Sequence, residues 1–305
     1  MRSKVLFFSW LFIMCSSFVT AQDLKLPLYT GAIPNSKPSI VKEKAELKYE
    51  GAISGVTIPE MMVYFPTKKF STGQAVIICP GGGYWIESTT LEGRDIAHFL
   101  SSIGVTAIVL KYRLPMPETC IDQHKVPLMD AQRAVRMVRA NAVKWGVSPD
   151  KIGVIGFSAG GHLAATVGTH FDNGNKEATD SVERMSCRPN FMALIYPVIS
   201  MADSITHKGS KRLLLGEHPS NELVKLYSNE LQVKESTPPA FIVHAGDDSV
   251  VPVENAILMY EALHKCKVPS EIHILSSGEH GFGLGANNEK VNFWTIQFRA
   301  WLKSL

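Results

Sequence analysis

The 305-residue chain has little of what marks disulfide-rich, metal-binding or nucleic-acid-binding proteins. Basic and acidic side chains nearly balance, at 31 and 28, so the charge indicates no nucleic acid or other polyanion as a partner. The five cysteines lack the spacing of a metal site. In an exported protein, two cysteines could form a disulfide. The sequence leaves open whether any of the four cysteines after the amino-terminal region do so: Cys79, Cys120, Cys187 and Cys266.

The amino terminus does not have the pattern of a folded domain. Arg2 and Lys4 precede an almost unbroken apolar stretch from Val5 to Val19, and small residues follow before Gln22. This arrangement predicts a cleaved secretory signal peptide over residues 1–21.

Two alternatives to a cleaved signal stay open. A membrane anchor is one, although roughly 20 apolar residues are needed to span hydrocarbon and this stretch is shorter. A lipid-modified Cys15 is the other, but the bulky Ile13 and Met14 precede it where small residues are expected. We expect an exported protein whose mature part, residues 22–305, has no membrane span. The sequence does not indicate an oligomeric state.

Strand-like and helix-like segments alternate along most of the mature part. Short apolar runs bounded by Gly, Pro or Ser predict buried strands at 75–79, 106–110, 152–157, 191–196, 241–244 and 270–275. Helical patterns lie between them, at 93–103, 128–145, 161–169, 253–265 and 289–305. Residues 42–67 come earlier and are alternating and turn-rich, which predicts an antiparallel strand pair around EGAISGVTIPEMMVYFP, residues 50–66.

This alternation predicts an α/β fold with a mostly parallel central sheet of about eight strands and helices on both faces. We expect a single domain over residues 22–305, with a small insertion at about 200–239 that lies over the sheet edge. Within that insertion the pattern favours a helix near 221–229. Ligands of such folds bind at the loops after the carboxyl ends of the strands, so these loops are where functional residues are expected.

The stretch VIGFSAGG, residues 154–161, places one serine between two glycines where a predicted strand meets a helix. A strand that turns at once into a helix strains the residue at the bend and needs small neighbours. Gly156 and Gly160 are those neighbours, so Ser158 is expected above the sheet at the start of the helix. An ordinary glycine-rich turn is the alternative. Ser158 is our candidate nucleophile.

A serine hydroxyl needs a base to take its proton, and the base needs an acid to orient it. The predicted strand at 241–244 runs into Asp247 and Asp248. We favour Asp248 as the acid, with a turn cap as the alternative role for either. His280, which lies near glycines after the last predicted strand, is the candidate base, and an exposed loop histidine is the alternative.

Other histidines have weaker settings. We expect His162, just after the serine turn, to pack or to cap, and His244 to hold the aspartate loop. His207 and His218 lie in the predicted insertion, where surface roles are expected.

The segment CPGGGYW follows the first buried strand and offers consecutive backbone N–H groups. Such donors stabilise the oxygen that gains charge during acyl transfer. Gly82 and Gly83 are the candidate donors of this oxyanion hole, joined by the N–H of Ala159. A phosphate-binding loop is disfavoured, because no Lys-Ser/Thr pair follows the glycines. Tyr84 and Trp85 are expected either to line an acyl pocket as substrate-binding residues or to belong to the core.

Six motifs follow one another along the chain: PGGGYW, LKYRLP, DAQRAVRMVR, GFSAGGHLA, HAGDDSVVP and EHGFG. As an ordered set that covers nearly all of the mature part, they resemble the α/β-hydrolase superfamily, and within it the exported bacterial carbohydrate esterases of the acetyl xylan esterase-like group. The resemblance implies a catalytic triad of Ser158, Asp248 and His280, the oxyanion hole given above, and no metal or organic cofactor. It also implies a secreted or periplasmic location.

One departure from the superfamily concerns the glycine motif. Its lipase-like branch has His before the glycines, where this chain has Pro80, so the choice of donors among Gly81, Gly82 and Gly83 is open. From the same likeness, Arg113 is expected to be part of the scaffold, with substrate binding as the alternative.

These features lead to the hypothesis of a secreted serine carboxylesterase that removes acetyl or other small acyl groups from plant polysaccharides such as xylan. Feruloyl esterase is the nearest alternative, because pocket size alone separates the two acyl groups. A serine peptidase of the oligopeptidase type is disfavoured, since no large amino-terminal domain is expected. A lipase is disfavoured because residues 200–239 are mixed and charged. A non-catalytic glycan-binding protein on the same fold is the alternative outside the enzymes.

Overall fold

The computed structural model describes residues 23–286 and 288–305, so the predicted signal peptide lies outside the described residues. The described part has eleven strands: β1 (Leu24–Pro27), β2 (Lys44–Glu46), β3 (Ala52–Ser54), β4 (Glu60–Tyr64), β5 (Ala75–Cys79), β6 (Ile86–Ser88), β7 (Thr106–Lys111), β8 (Ile152–Phe157), β9 (Phe191–Ile195), β10 (Ala240–Ala245) and β11 (Ser270–Leu275). Its α-helices are α1 (Asp95–Ser102), α2 (Val126–Ala140), α3 (Ala142–Trp145), α4 (Ser158–Thr169), α5 (Lys208–Leu215), α6 (Asn221–Tyr227), α7 (Glu254–Lys265) and α8 (Glu289–Ser304).

Eight strands form one sheet, in the order β1-β4-β7-β5-β8-β9-β10-β11. The six strands from β7 to β11 in this order run parallel to one another. At the other edge, β4 pairs antiparallel with both β7 and β1. The predicted fold class, a mostly parallel sheet of about eight strands, is therefore confirmed.

Helices cover both faces of this sheet. On one face, Ile96 of α1 and Trp294 and Phe298 of α8 pack in a common apolar cluster. On the other face, residues of α2, α4 and α7, such as Val135 and Leu163, form a second cluster. The central strands are thus buried on both faces, which explains why they are continuous apolar runs rather than alternating patterns.

The six predicted buried strands all form, and their ends agree with the prediction within one residue. Three helices differ in detail. Helix α4 begins at Ser158 rather than at 161, because β8 turns into it without a linker. The helix predicted at 128–145 is divided at Asn141 into α2 and α3. The helix predicted from 93 is preceded by a π-helical turn over Thr90–Arg94.

The antiparallel pair predicted within residues 42–67 is wrong in its partners. Strand β3 pairs with β2 and β6 in a separate three-stranded sheet, while β4 joins the edge of the large sheet. Alternation identifies a half-buried strand but not its partner. Met61 and Val63 of β4 are fully buried, and only the large sheet with its helices offers them that burial.

Residues 200–239 connect β9 to β10 and contain α5 and α6. The helix predicted near 221–229 is present as α6, followed by a short 3₁₀ turn over Asn229–Leu231. Ser220 is the N-cap of α6, because its hydroxyl accepts a hydrogen bond from the N–H of Leu223.

Two further features of the described residues bear on the sequence analysis. Their four cysteines are free thiols, and three of them are buried. Over residues 23–286 and 288–305, no helix combines the length and the apolar character needed to cross a bilayer.

Candidate active site

Ser158 lies at a sharp bend between β8 and α4, with a φ of +51°. This left-handed conformation is costly for a residue with a side chain and persists only where the surroundings hold it. A Cβ on Gly156 would lie 2.0 Å from the carbonyl oxygen of Gly160, and one on Gly160 would lie 2.1 Å from that of Cys79. Both positions therefore require glycine. The bend holds the serine hydroxyl at the carboxyl end of the sheet.

Ser158, His280 and Asp248 form one hydrogen-bonded chain. The Oγ of Ser158 lies 2.8 Å from Nε2 of His280, and Nδ1 of that ring lies 2.7 Å from Oδ2 of Asp248. The loops after β8, β10 and β11 carry the three residues, and these loops lie at one edge of the sheet because the strands are parallel. The structure thus brings together the three residues that the sequence analysis singled out.

Asp248 is held in its ionised form by several donors. Its Oδ1 accepts the N–H groups of Val250 (2.9 Å) and Val251 (2.8 Å), and its Oδ2 lies 3.1 Å from Nε2 of His244. Burial alone raises the pKa of this carboxyl group, but the hydrogen bonds from His244, His280 and Val251 outweigh burial and hold the pKa well below its usual range. The side chain is therefore a carboxylate, and it accepts a hydrogen bond from the protonated Nδ1 of His280.

Asp247 has a different position from its neighbour. Its Oδ1 accepts the N–H groups of Gly278 and Glu279, each at 2.9 Å, in the loop that leads to His280. The sequence leaves open which of the two aspartates orients the imidazole. In the structure Asp248 contacts the ring of His280, and Asp247 contacts the backbone of the loop before it.

The glycine loop follows β5 and lies beside Ser158. Gly82 and Gly83 both have positive φ, at +129° and +64°, and both line the cleft that contains Ser158. Among the described residues, none accepts a hydrogen bond from the N–H of Gly82 or Gly83. The N–H of Gly81, by contrast, is bonded to a carboxylate oxygen of Glu92 at 2.8 Å. Of the three glycines, Gly82 and Gly83 therefore have N–H groups without an acceptor among the described residues.

The sequence analysis missed Glu92, a buried carboxyl group beside the site. Its Oε2 accepts the N–H of Gly81, and its Oε1 accepts the hydroxyl of Tyr196 at 2.8 Å. That hydroxyl in turn accepts the N–H of Gly283, three residues after His280. Burial raises the pKa of Glu92, although the hydrogen bonds from Tyr196 and Gly81 oppose it. One side chain thus joins the glycine loop to the histidine loop.

Tyr84 and Trp85, considered together in the sequence, lie in different surroundings. Tyr84 has a φ of +62° and turns into the core, where its hydroxyl lies 2.8 Å from Nδ1 of His162. It therefore does not line the cleft, and its expected place in an acyl pocket is corrected. Nε2 of His162 lies 2.8 Å from the carbonyl oxygen of Tyr227, as the expected packing role requires. Trp85 is half exposed and lines the cleft.

The cleft above Ser158 has a volume of about 750 Å³. Its walls include the connection from β2 to β3, the glycine loop with β6, the π-helical turn before α1, and residues of α5. His207, for which a surface role was expected, precedes α5 and lines this cleft. Burial lowers the pKa of His207, and the neighbouring His280 lowers it further. Nothing in the local sequence distinguishes this histidine, because the fold of the insertion alone brings it to the site.

The arrangement supplies a nucleophile, a base and an acid in hydrogen-bond contact, with free N–H donors beside them. Such a set performs acyl transfer through a covalent intermediate. Within the described part of the chain, no cluster of three or more His, Cys, Asp or Glu side chains is arranged to hold a metal ion.

Comparison with protein families gives a match to the BD-FAE family model over residues 61–263. Among curated proteins, the chain is 36% identical to endo-1,4-beta-xylanase B of Butyrivibrio fibrisolvens, over 90% of this chain and 42% of that protein. It is 34% identical to the acetylxylan esterase of Xylanibacter ruminicola, over 81% of this chain and 48% of that protein. The chain therefore spans less than half the length of these two relatives.

Among solved structures, the chain is similar to the acetyl ester-xyloside bifunctional hydrolase from Caldicellulosiruptor lactoaceticus. The TM-score is 0.81 at 40% sequence identity, and the match covers 94% of this chain and 98% of the other.

Proposed function

Because the chain belongs to the BD-FAE family and has the α/β-hydrolase fold, we propose that it is a serine carboxylesterase that removes acetyl groups from plant polysaccharides such as xylan. The observation that carries this proposal is the hydrogen-bonded chain from Asp248 through His280 to Ser158. The choice of substrate is supported by relatives whose names include acetylxylan esterase and acetyl ester-xyloside hydrolase.

Acylation begins at Ser158. Asp248 accepts a hydrogen bond from the protonated Nδ1 of His280. The neutral ring therefore keeps its lone pair on Nε2, which lies 2.8 Å from the serine Oγ. Nε2 takes the hydroxyl proton as Oγ bonds to the ester carbonyl carbon. The tetrahedral intermediate then collapses, and the bond to the sugar oxygen breaks as Nε2 returns the proton to that oxygen. The sugar leaves with a free hydroxyl group, and Ser158 carries the acetyl group.

Deacylation repeats these steps with water in place of Ser158. Nε2 of His280 takes a proton from water as the water oxygen bonds to the acyl carbon. The second tetrahedral intermediate releases acetate, and Oγ recovers its proton from the ring. The buried carboxylate of Asp248 stabilises the imidazolium ion in both halves of the reaction.

The oxyanion of each intermediate requires hydrogen-bond donors. We assign this role to the N–H groups of Gly82, Gly83 and Ala159, since the glycine pair lines the cleft and Ala159 lies in the first turn of α4. N–H groups of a first helical turn have no acceptor within their own helix. Removal of one such donor costs about 3 kcal/mol of transition-state stabilisation in serine hydrolases.

We propose that the protein is exported, on the basis of its amino-terminal sequence. Expression of the full chain in a bacterial host, followed by mass spectrometry of the product outside the cytoplasm, tests this. A mature chain that begins at Gln22 is expected. A product that keeps residues 1–21 would refute the cleaved signal.

A feruloyl esterase is the second candidate, and the cleft favours it in one respect. Its volume of about 750 Å³ is far more than an acetyl group needs, and aromatic side chains line it. This space fits either an aromatic acyl group or the sugar that carries the ester.

The experiment for the proposed function compares the wild-type protein with Ser158→Ala on acetylated xylan and on a chromogenic acetate ester. Acetate release from both substrates by the wild type, and its loss in the variant, are expected. Ser102→Ala is the matched control, because Ser102 is exposed at the end of α1. Equal turnover by Ser158→Ala and the wild type would refute the serine mechanism, and hydrolysis of the chromogenic ester alone would refute the polysaccharide substrate.

A further inference from the structure

One wall of the cleft presents an exposed pair of aromatic rings. Trp85 is 51% exposed and Tyr49 is 41% exposed, and their rings meet edge to face with centroids 6.0 Å apart. The other tryptophans of the described residues, Trp145, Trp294 and Trp301, are buried. A half-exposed indole contributes little to the core, and exposed apolar surface at a cleft is typical of a ligand-binding site.

The backbone that carries the indole is held in place. The backbone N–H of Trp85 donates to the carbonyl oxygen of Gly82 at 3.0 Å, and the preceding Tyr84 is buried in the core. The ring of Tyr49 fixes the orientation of the indole from the side. This aromatic platform, formed by Trp85 and Tyr49, is therefore joined to the loop that lies beside Ser158.

His207 also lines the cleft, and its Nδ1 lies 2.8 Å from the hydroxyl oxygen of Ser210. The backbone N–H of Ser210 lies 3.2 Å from the same Nδ1. Among the described residues, none forms a hydrogen bond with Nε2 of this ring. A Cβ on Gly83 would lie 3.6 Å from Cε1 of this ring, so the ring faces the glycine loop.

We propose that Trp85 and His207 form a subsite for the sugar ring that carries the ester, with the apolar face of the ring stacked on the indole and a sugar hydroxyl hydrogen-bonded to Nε2 of His207. A pyranose ring has C–H groups on its faces and hydroxyl groups around its edge, so it matches one apolar wall and one polar group. The proposal rests on the proposed function and states which part of the substrate the walls recognise.

The exposure of Trp85 favours the sugar over the acyl group as its ligand. An acetyl group bound to Ser158 is small and must reach the N–H groups of the glycine loop, whereas the indole lies half in solvent. A sugar within a polysaccharide keeps one side in water and continues beyond the cleft in both directions. A half-exposed platform at an open cleft accommodates such a chain.

The experiment measures kcat/KM of the wild type and two variants, Trp85→Ala and His207→Ser, on acetylated xylo-oligosaccharides and on ethyl acetate. Serine at 207 keeps a good helix N-cap but is too short to reach the sugar. Both variants are expected to lose about tenfold or more on the oligosaccharide, mainly through KM, with ethyl acetate little changed. The ratio of the two substrates is the readout, because a general loss of folded protein lowers both activities together.

Matched controls are Phe293→Ala, a half-exposed aromatic on α8 outside the cleft, and His218→Ser, an exposed histidine of the same insertion. Neither is expected to alter the ratio. An unchanged ratio in Trp85→Ala and His207→Ser would overturn the subsite while leaving the proposed function intact. A loss in Trp85→Ala on ethyl ferulate but not on the acetylated sugar would also overturn it, because the indole would then bind the acyl group.

Acetylated gluco-oligosaccharides separate the subsite from the choice of polysaccharide. Hydrolysis of these but not of the xylo-oligosaccharides, with the same dependence on Trp85, would support the sugar subsite and refute xylan as the substrate. Hydrolysis of ethyl acetate with no activity on any sugar acetate would refute both proposals.

Discussion

The carboxylate of Glu92 accepts the N–H of Gly81 at 2.8 Å, and this contact fixes the loop whose next two residues line the cleft. The same carboxylate accepts the hydroxyl of Tyr196, which bonds to the histidine loop at Gly283. Two loops that carry different parts of the proposed machinery are therefore positioned by one buried side chain that touches no reacting atom in the proposed mechanism.

The first prediction concerns Glu92→Gln. The glutamine oxygen can serve one of the two donors, and its NH₂ group faces the other, so one loop loses its support. We expect kcat on a chromogenic acetate to fall about tenfold or more with KM little changed. Glu87→Gln is the control, since Glu87 is another buried glutamate that accepts a backbone N–H, from Tyr112 at 2.8 Å. If both variants lose kcat equally, the effect is general and Glu92 does not position the loops.

The second prediction separates the adjacent aspartates. Asp248→Asn removes the acceptor for Nδ1 of His280 and favours the wrong tautomer, so kcat is expected to fall on the order of 10⁴-fold, as in other serine hydrolases with this change. Asp247→Asn keeps an oxygen that can accept the N–H groups of Gly278 and Glu279, so a much smaller loss is expected. Steady-state kinetics on one ester measures both, and a larger loss in Asp247→Asn would reverse the assignment.

The third prediction concerns the pH dependence of stability. Burial lowers the pKa of His162 from 6.5 to about 4. Between these values the unfolded chain binds a proton that the folded chain does not, so the free energy of unfolding falls as the pH drops from 7 towards 4. The loss from this one group is roughly 3 kcal/mol. Urea denaturation across this range is expected to show a weaker pH dependence in His162→Asn than in the wild type.

The exposed His218 offers a control for that experiment. His218→Asn is expected to keep the pH dependence of the wild type, because it leaves the buried ring of His162 in place. An equal dependence in His162→Asn and the wild type would show that the buried ring is not the source.

The fourth prediction separates acetyl from feruloyl esters. Ethyl acetate and ethyl ferulate share the leaving group, so the ratio of their kcat/KM values reports recognition of the acyl group alone. If the cleft serves the sugar, the acetate is expected to be the better substrate and Trp85→Ala to leave this ratio unchanged. A higher kcat/KM for the ferulate, measured by release of the free acids, would favour the second candidate function.

The sequence predicted most of the fold because the central strands are buried on both faces. Such strands are short apolar runs, and the six that were predicted all form. The edge was harder, because β4 takes as its partner β7, which is distant in sequence, and alternation says nothing about partners. The same reasoning covers the site. Ser158 and His280 both follow predicted parallel strands, and the carboxyl ends of parallel strands lie at the same edge of a sheet, so the topology alone predicts that these two residues are close.

The residues that sequence reasoning missed or misplaced depend on contacts that no local pattern encodes. Glu92 lies in the π-helical turn TLEGR, just before the helix predicted from residue 93, and no local pattern marks it as buried. His207 reaches the cleft only because the connection from β9 to β10 brings the start of α5 to it. Tyr84 turns inward through a positive φ, which nothing in GGGYW distinguishes from the outward path taken by Trp85.

The two aspartates after β10 separate the positioning of His280 from the recognition of a substrate. Asp248 contacts the imidazole of His280, and Asp247 contacts the backbone just before it, so the loops after β10 and β11 are joined at two points. Other segments, among them the β2–β3 connection and α5, form walls of the cleft. Substitutions in these walls are therefore expected to change substrate recognition while the hydrogen bonds of Asp247 and Asp248 stay in place.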